Sequence, residues 1–174
     1  FLYAIEIGLR KLGENNRWVA SSYNNLGSVY SQKGDYDKAL EYFIKSLSII
    51  GEKSPLAGLS YNNIGTIYLE KGDYDQALEY FQKALTIRLQ VLGEENTEIA
   101  KYYNNIGIAY KGKGDYDKAL EFFQKSLLIN LRVFGEEQIS VASNYNNIGT
   151  VYSHKGEYVQ AIEYYEKSLA VRIK

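Results

Sequence analysis

Tyr61-Asn62-Asn63-Ile64-Gly65-Thr66-Ile67-Tyr68, continued by Lys71-Gly72-Asp73-Tyr74-Asp75 and Ala77-Leu78-Glu79-Tyr80-Phe81, decides the fold because it recurs. Tyr-Asn-Asn-(Leu/Ile)-Gly begins at Tyr23, Tyr61, Tyr103 and Tyr145, at intervals of 38, 42 and 42 residues. Between Tyr61–Leu85 and Tyr103–Leu127, 18 of 25 positions are identical. A fixed period in this range marks a stacked repeat array.

Each unit reads as two helices. Tyr61, Ile64, Gly65 and Tyr68 stand at i, i+3, i+4 and i+7, one stripe of a first helix, with equivalents in every copy. The glycine in that stripe costs about 1 kcal/mol relative to alanine. Its recurrence implies a neighbouring helix crossing too closely for a Cβ. Lys33-Gly34, Lys71-Gly72, Lys113-Gly114 and Lys155-Gly156 end these helices. Asp35, Asp73 and Asp115 are suited to cap a second helix, whereas Glu157 is a weaker cap. The second helix buries Ala77, Leu78, Phe81, Ala84 and Leu85 and their equivalents. Glu41/Lys45, Glu79/Lys83, Glu121/Lys125 and Glu163/Lys167 mark its solvated side. Asn16, Ser54 (followed by Pro55), Asn96 and Gln138 stand at the starts of the first helices. Ser54-Pro55 is the strongest of these boundaries and Gln138 the poorest cap. No strand signal appears. One hairpin cannot bury both of its apolar sides, and stacked neighbours can.

These residues resemble the tetratricopeptide repeat at nearly every signature position. The match includes the alanines Ala39, Ala77, Ala119 and Ala161, the aromatics Phe43, Phe81, Phe123 and Tyr165, and the small residues Ser46, Ala84, Ser126 and Ser168. Ordinary repeats of that family run about 34 residues. Here Ile87 to Gly93 lengthens the second helix, and the 42-residue period resembles the kinesin-light-chain type. The resemblance implies an all-α, right-handed α-solenoid of helix-turn-helix repeats whose first helices line a concave peptide-binding groove. The expected division is a single solenoid over 1–174. Residues 1–13 form the second helix of a preceding repeat, followed by repeats at 17–51, 55–93, 97–135 and 139–174. Phe1 falls at the phase of Phe81 and Lys174 at that of Gln90, so the chain reads as a window from a longer array. In the 38-residue interval the four missing residues fall in the second helix after Leu47. That is roughly one turn, about 6 Å, and it leaves the apolar stripe in phase.

Composition excludes several function classes. Formal charge is −1 with both signs interspersed, which argues against nucleic acid or an anionic lipid surface. No window approaches a membrane span. The chain has no cysteine, so disulfides and thiolate metal sites are excluded, and a reducing, cytoplasmic setting is expected. His154, the one histidine, has no catalytic or ligand companion, and Gly112-Lys113-Gly114 is not a phosphate loop. The expectation is a non-enzyme without cofactor or metal.

Function falls on the first-helix face opposite the stripe. A carboxamide donates and accepts, and the resemblance implies a ladder formed by Asn25, Asn63, Asn105 and Asn147 against a peptide backbone. Asn62 and Asn104, with Asn24 and Asn146, are the other members of the pairs. The alternative is that one asparagine of each pair bonds across the helix interface and supports stacking. Leu59, Leu69 and Ile108 are expected as apolar anchors, Thr66 lies among them, and Lys101 and Lys111 make the third unit the most basic. A chaperone-tail carboxylate clamp fits poorly: of Asn24, Ser28, Asn63, Lys101 and Asn105 at its positions, only Asn63 and Lys101 match. The partner expected is a peptide segment or protein. A second reading is end-to-end self-association through Phe1, Leu2 and Ile5 at one end and Leu169, Val171 and Ile173 at the other.

Overall fold

The computed structural model describes residues 16–94 and 96–173. The helix expected over residues 1–13 and the apolar end Phe1, Leu2, Ile5 lie outside the described residues. Within them the chain is all-α: α1 (Arg17–Gln32), α2 (Tyr36–Ile50), α3 (Ala57–Glu70), α4 (Tyr74–Leu92), α5 (Thr97–Lys113), α6 (Tyr116–Phe134), α7 (Ile139–Lys155) and α8 (Tyr158–Arg172). They form a helix-turn-helix repeat solenoid, each odd-numbered helix pairing with the next. The chain divides between Val91 and Leu92, at the end of α4, into two compact units.

The hairpin turn carries two duties on two residues. In the second repeat the Gly72 N–H donates to the Leu69 carbonyl and the Asp73 N–H to the Tyr68 carbonyl, at 3.0 and 2.9 Å. Gly72 adopts φ +76°, a conformation open to glycine, and this closes α3. The Asp73 carboxylate then accepts from the Gln76 N–H at 3.2 Å and opens α4. Asp35 and Asp115 do the same for Lys38 and Lys118, whereas Glu157 makes no capping bond. Asn16 and Asn96 cap α1 and α5, and Gln138 makes no side-chain cap.

α2 has 15 residues where α4 and α6 have 19, so the shorter interval is absorbed by α2, as its sequence implies. One boundary differs from expectation. α3 begins at Ala57, not at Pro55, because Ser54 first closes a tight turn. Its Oγ accepts from the Leu56 N–H at 3.3 Å and its carbonyl from the Ala57 N–H at 2.9 Å.

The recurring glycine is crowded by the partner helix of its own hairpin, through an aromatic ring. A Cβ at Gly27, Gly65 or Gly107 would lie 2.6, 2.7 or 2.7 Å from the ring of Phe43, Phe81 or Phe123. Those rings are at most 1% exposed. At Gly149 the ring of Tyr165 lies 3.0 Å away.

The stripe tyrosines are less buried than the helical period suggests. Tyr61 is buried, and its counterparts are half-buried. They flank a ring from the second helix: Tyr80 sits between Tyr61 and Tyr68 at centroid distances of 6.0 and 5.5 Å. Tyr42, Phe122 and Tyr164 repeat the arrangement. The Lys83 ammonium, paired with Glu79 at 2.6 Å, lies 4.9 Å from the Tyr80 ring centre. The fully enclosed apolar positions come one residue earlier, at Ile67, Ala109 and Val151, together with Ile64, Ile106 and Ile148. In the second unit Ile148 and Val151 of α7 close over Ala119, Leu120 and Phe123 of α6. Burying each such large side chain contributes about 1.5–3 kcal/mol.

Candidate peptide-binding faces of the first helices

Within each unit the structure joins the asparagine pairs of successive first helices. Asn63 Nδ2 donates to Asn24 Oδ1 at 3.3 Å, and Asn147 Nδ2 donates to Asn104 Oδ1 at 2.8 Å. The second asparagine of one repeat thus bonds the first asparagine of the repeat before it. Each bond ties α1 to α3 or α5 to α7 and contributes about 0.5–1.5 kcal/mol to stacking. It engages one hydrogen-bonding place on each carboxamide, which has up to four. The side chains of Asn24, Asn63, Asn104 and Asn147 are half-buried and held, and the Asn24 oxygen also accepts from the Ser60 hydroxyl at 3.3 Å. Asn62 and Asn105 are half-buried and Asn25 is exposed.

Around them, Thr66 is half-buried and donates its hydroxyl to the Asn62 carbonyl at 3.0 Å. Ser28 and Thr150 bond back to Asn24 and Asn146 in the same way. Lys101 is exposed and Lys111 half-buried on α5. The three expected apolar anchors part company. Leu59 is 48% exposed, Leu69 is half-buried near the end of α3, and Ile108 packs against the Ala119–Phe123 core cluster. Leu59 belongs to unit one and helps wall a hollow with Trp18 and Leu56. His154 stacks its ring on Tyr116 at 5.8 Å.

Two features were not read from the sequence. Buried Asn130 and Asn144 link α6 to α7, and Ser126 anchors the chain of bonds to the Ala100 carbonyl at 2.8 Å. Neither asparagine recurs between copies, so a search for repeated positions passes over them. The hollow beside Trp18 escapes for the same reason.

Among the described residues no helix is long and apolar enough to cross a membrane, and no group of three or more His, Asp or Glu is placed to hold a metal ion.

Stacked helical hairpins with a recurring amide on the first helix define a helical-repeat protein. The tetratricopeptide repeat model matches residues 4–52, 56–127 and 98–174, and the chain belongs to that family. Such repeats generally serve as protein-interaction scaffolds. A search of curated protein sequences finds no significant match. Among solved structures, BtubC from P. vanneervenii is 24% identical with a TM-score of 0.82, covering 89% of this chain and 63% of its own. A putative kinesin light chain of Podosopora anserina is 19% identical with a TM-score of 0.79, covering 97% and 82%. MamA is 24% identical with a TM-score of 0.71, covering 98% and 85%. At these identities the likeness is one of fold, and it includes arrays of the kinesin-light-chain type.

Proposed function

We propose that the chain is a non-enzymatic interaction module that holds an extended peptide, or such a segment of a partner protein, along the groove-lining faces of its first helices. The observation that carries this reading is the asparagine pair. It recurs in all four copies, and the bonds Asn63–Asn24 and Asn147–Asn104 hold these amides in place before any ligand arrives. An amide already ordered loses less entropy on binding. Asn25, Asn63, Asn105 and Asn147 bond the peptide backbone, with Asn62, Asn104 and Thr66 beside them. Leu59 and Leu69 supply apolar contact in unit one. In unit two Ile108 does so, and Lys101 and Lys111 favour an acidic stretch. A cysteine-free chain with this role suits a cytoplasmic setting. An immobilised peptide array probed with the chain tests the reading. Captured peptides should be lost or weakened about tenfold in Asn63→Ala or Asn147→Ala, while both variants stay folded by circular dichroism. Undiminished capture would overturn it.

A second reading, self-association, is favoured by α8, where Ile162 and Leu169 are each 57% exposed, and by Ile173 just beyond its end, 76% exposed. On α6 the corresponding face is covered by Ile148 and Val151 of α7. Light scattering separates the readings, since self-association requires a mass that rises with concentration.

A further inference from the structure

The asparagine face leaves one part of unit one unexplained. Between the starts of α1 and α3 and the end of α2 lies a hollow of about 170 Å³, walled by Trp18, Ile50, Leu56 and Leu59 over a floor that includes Ser46 and Ser60. Trp18, the chain's one tryptophan, is 70% exposed, and Leu59 and Leu56 are 48% and 38% exposed. Apolar side chains gathered open to water around a concavity mark a contact site more often than scattered ones do.

The second unit shows why the space is open. There α7 places Asn144 where α3 has Ser60, and α6 places Asn130 one turn after Ser126, where α2 has Ile50 one turn after Ser46. Asn130 donates to Asn144 at 2.7 Å and Asn144 to Ser126 at 2.9 Å, all three buried. In unit one a smaller serine replaces the asparagine, and isoleucine offers no amide to answer it. Ser60 reaches Asn24 at 3.3 Å and Ser46 at 3.5 Å, and the remaining volume stays unfilled. A closed apolar volume of about 150 Å³ accepts a benzene, so the hollow matches a single side chain.

Charge narrows the occupant. Arg17 is the one charged residue among those described at the hollow, and none of them is acidic. Asn24, whose carbonyl oxygen already accepts from Ser60 and Asn63, keeps its amide hydrogens for a peptide carbonyl. We infer that the hollow seats one leucine-sized side chain of an extended acidic peptide, with Arg17 meeting the carboxylate of an adjacent residue. This rests on the peptide-binding reading above and assigns its anchor point to a place that the repeat signature does not mark.

Trp18 is its own reporter. The blocked pentapeptide Ser-Asp-Leu-Asp-Ser, titrated into the chain, should shift Trp18 emission to the blue and saturate. Ser-Asp-Gly-Asp-Ser should leave the emission in place, and Ser-Asn-Leu-Asn-Ser should bind about fivefold more weakly, as for an exposed ion pair. Ser60→Asn installs the residue the second unit uses to fill this space, and should weaken binding about tenfold or more while remaining folded. Leu59→Ser, at an exposed position, should do the same without any question of folding. Arg17→Glu should remove the preference for aspartate and spare the asparagine peptide. No blue shift in the unaltered chain, or equal affinity in Ser60→Asn and Leu59→Ser, would overturn the assignment. So would a blue shift that grows with protein concentration alone, which would place a second copy in the hollow. If array peptides depend on Asn63 but not on Ser60 or Leu59, the amide face stands and the anchor point falls.

Discussion

Phe81 lies across Gly65: a Cβ on that glycine would sit 2.7 Å from the ring. Helix propensity alone favours alanine there by about 1 kcal/mol, so packing and propensity pull in opposite directions. The ring is fully buried, so in a close-packed interior it moves only by displacing its neighbours. Gly65→Ala should therefore destabilise by about 1–3 kcal/mol in urea unfolding, and Gly65→Leu by more. Gly149→Ala should cost less, because Tyr165 starts 3.0 Å away and is 37% exposed. Shrinking the ring in Gly65→Ala/Phe81→Leu should recover part of the loss. A neutral Gly65→Ala contradicts the packing account.

Asn144 is 2% exposed and bonds both Asn130 and Ser126. Asn144→Ala would leave the Asn130 amide buried without that acceptor. A loss of about 1–3 kcal/mol is expected from an unsatisfied buried group. In Asn144→Ala/Asn130→Leu, with both amides gone, the loss should be smaller. Thermal unfolding of the single and double variants checks this.

High pH should loosen the array by forcing its shielded phenols to ionise. Burial pushes the Tyr61 phenol up, with Glu52 adding to it, and burial likewise raises Tyr80, Tyr145 and Tyr152. A phenol whose pKa is higher folded than unfolded contributes stability that is complete below about pH 10 and lost as pH rises through the folded value. Lys83, raised by its bond to Glu79, acts with the same sign. The urea midpoint should hold between about pH 7 and 9 and fall above about pH 10. Phenolate absorbance should show Tyr61, Tyr80, Tyr145 and Tyr152 ionising above the ordinary phenol value of about 10. A midpoint that falls steadily from neutrality contradicts the assignment.

Much of this was legible in the sequence because it is repeated. Gly72-Asp73 announces the end of one helix and the start of the next, and the missing turn of α2 follows from counting. The asparagine pairing was legible only as an alternative, since the bond from Asn63 to Asn24 joins residues 39 apart and depends on the stacking register. What distinguishes one copy from another was hidden. Ser60 opposite Ile50 leaves a space that Asn144 and Asn130 fill elsewhere, and averaging the repeats removes that difference. Pro55 misled because the tight turn at Ser54 delays α3 by two residues relative to its expected start.

Scaffold and binding fall on opposite sides of one helix in this proposal, and a nuclear magnetic resonance titration tests that most directly. On adding the tightest peptide from the array, the side-chain amide signals of Asn25, Asn63, Asn105 and Asn147 should move together while the ring signals of Tyr61, Tyr68 and Tyr80 stay still. Unmoved asparagines, with shifts gathered instead on Gln82, Thr86 and Gln90 around the open hollow on α4, would contradict it.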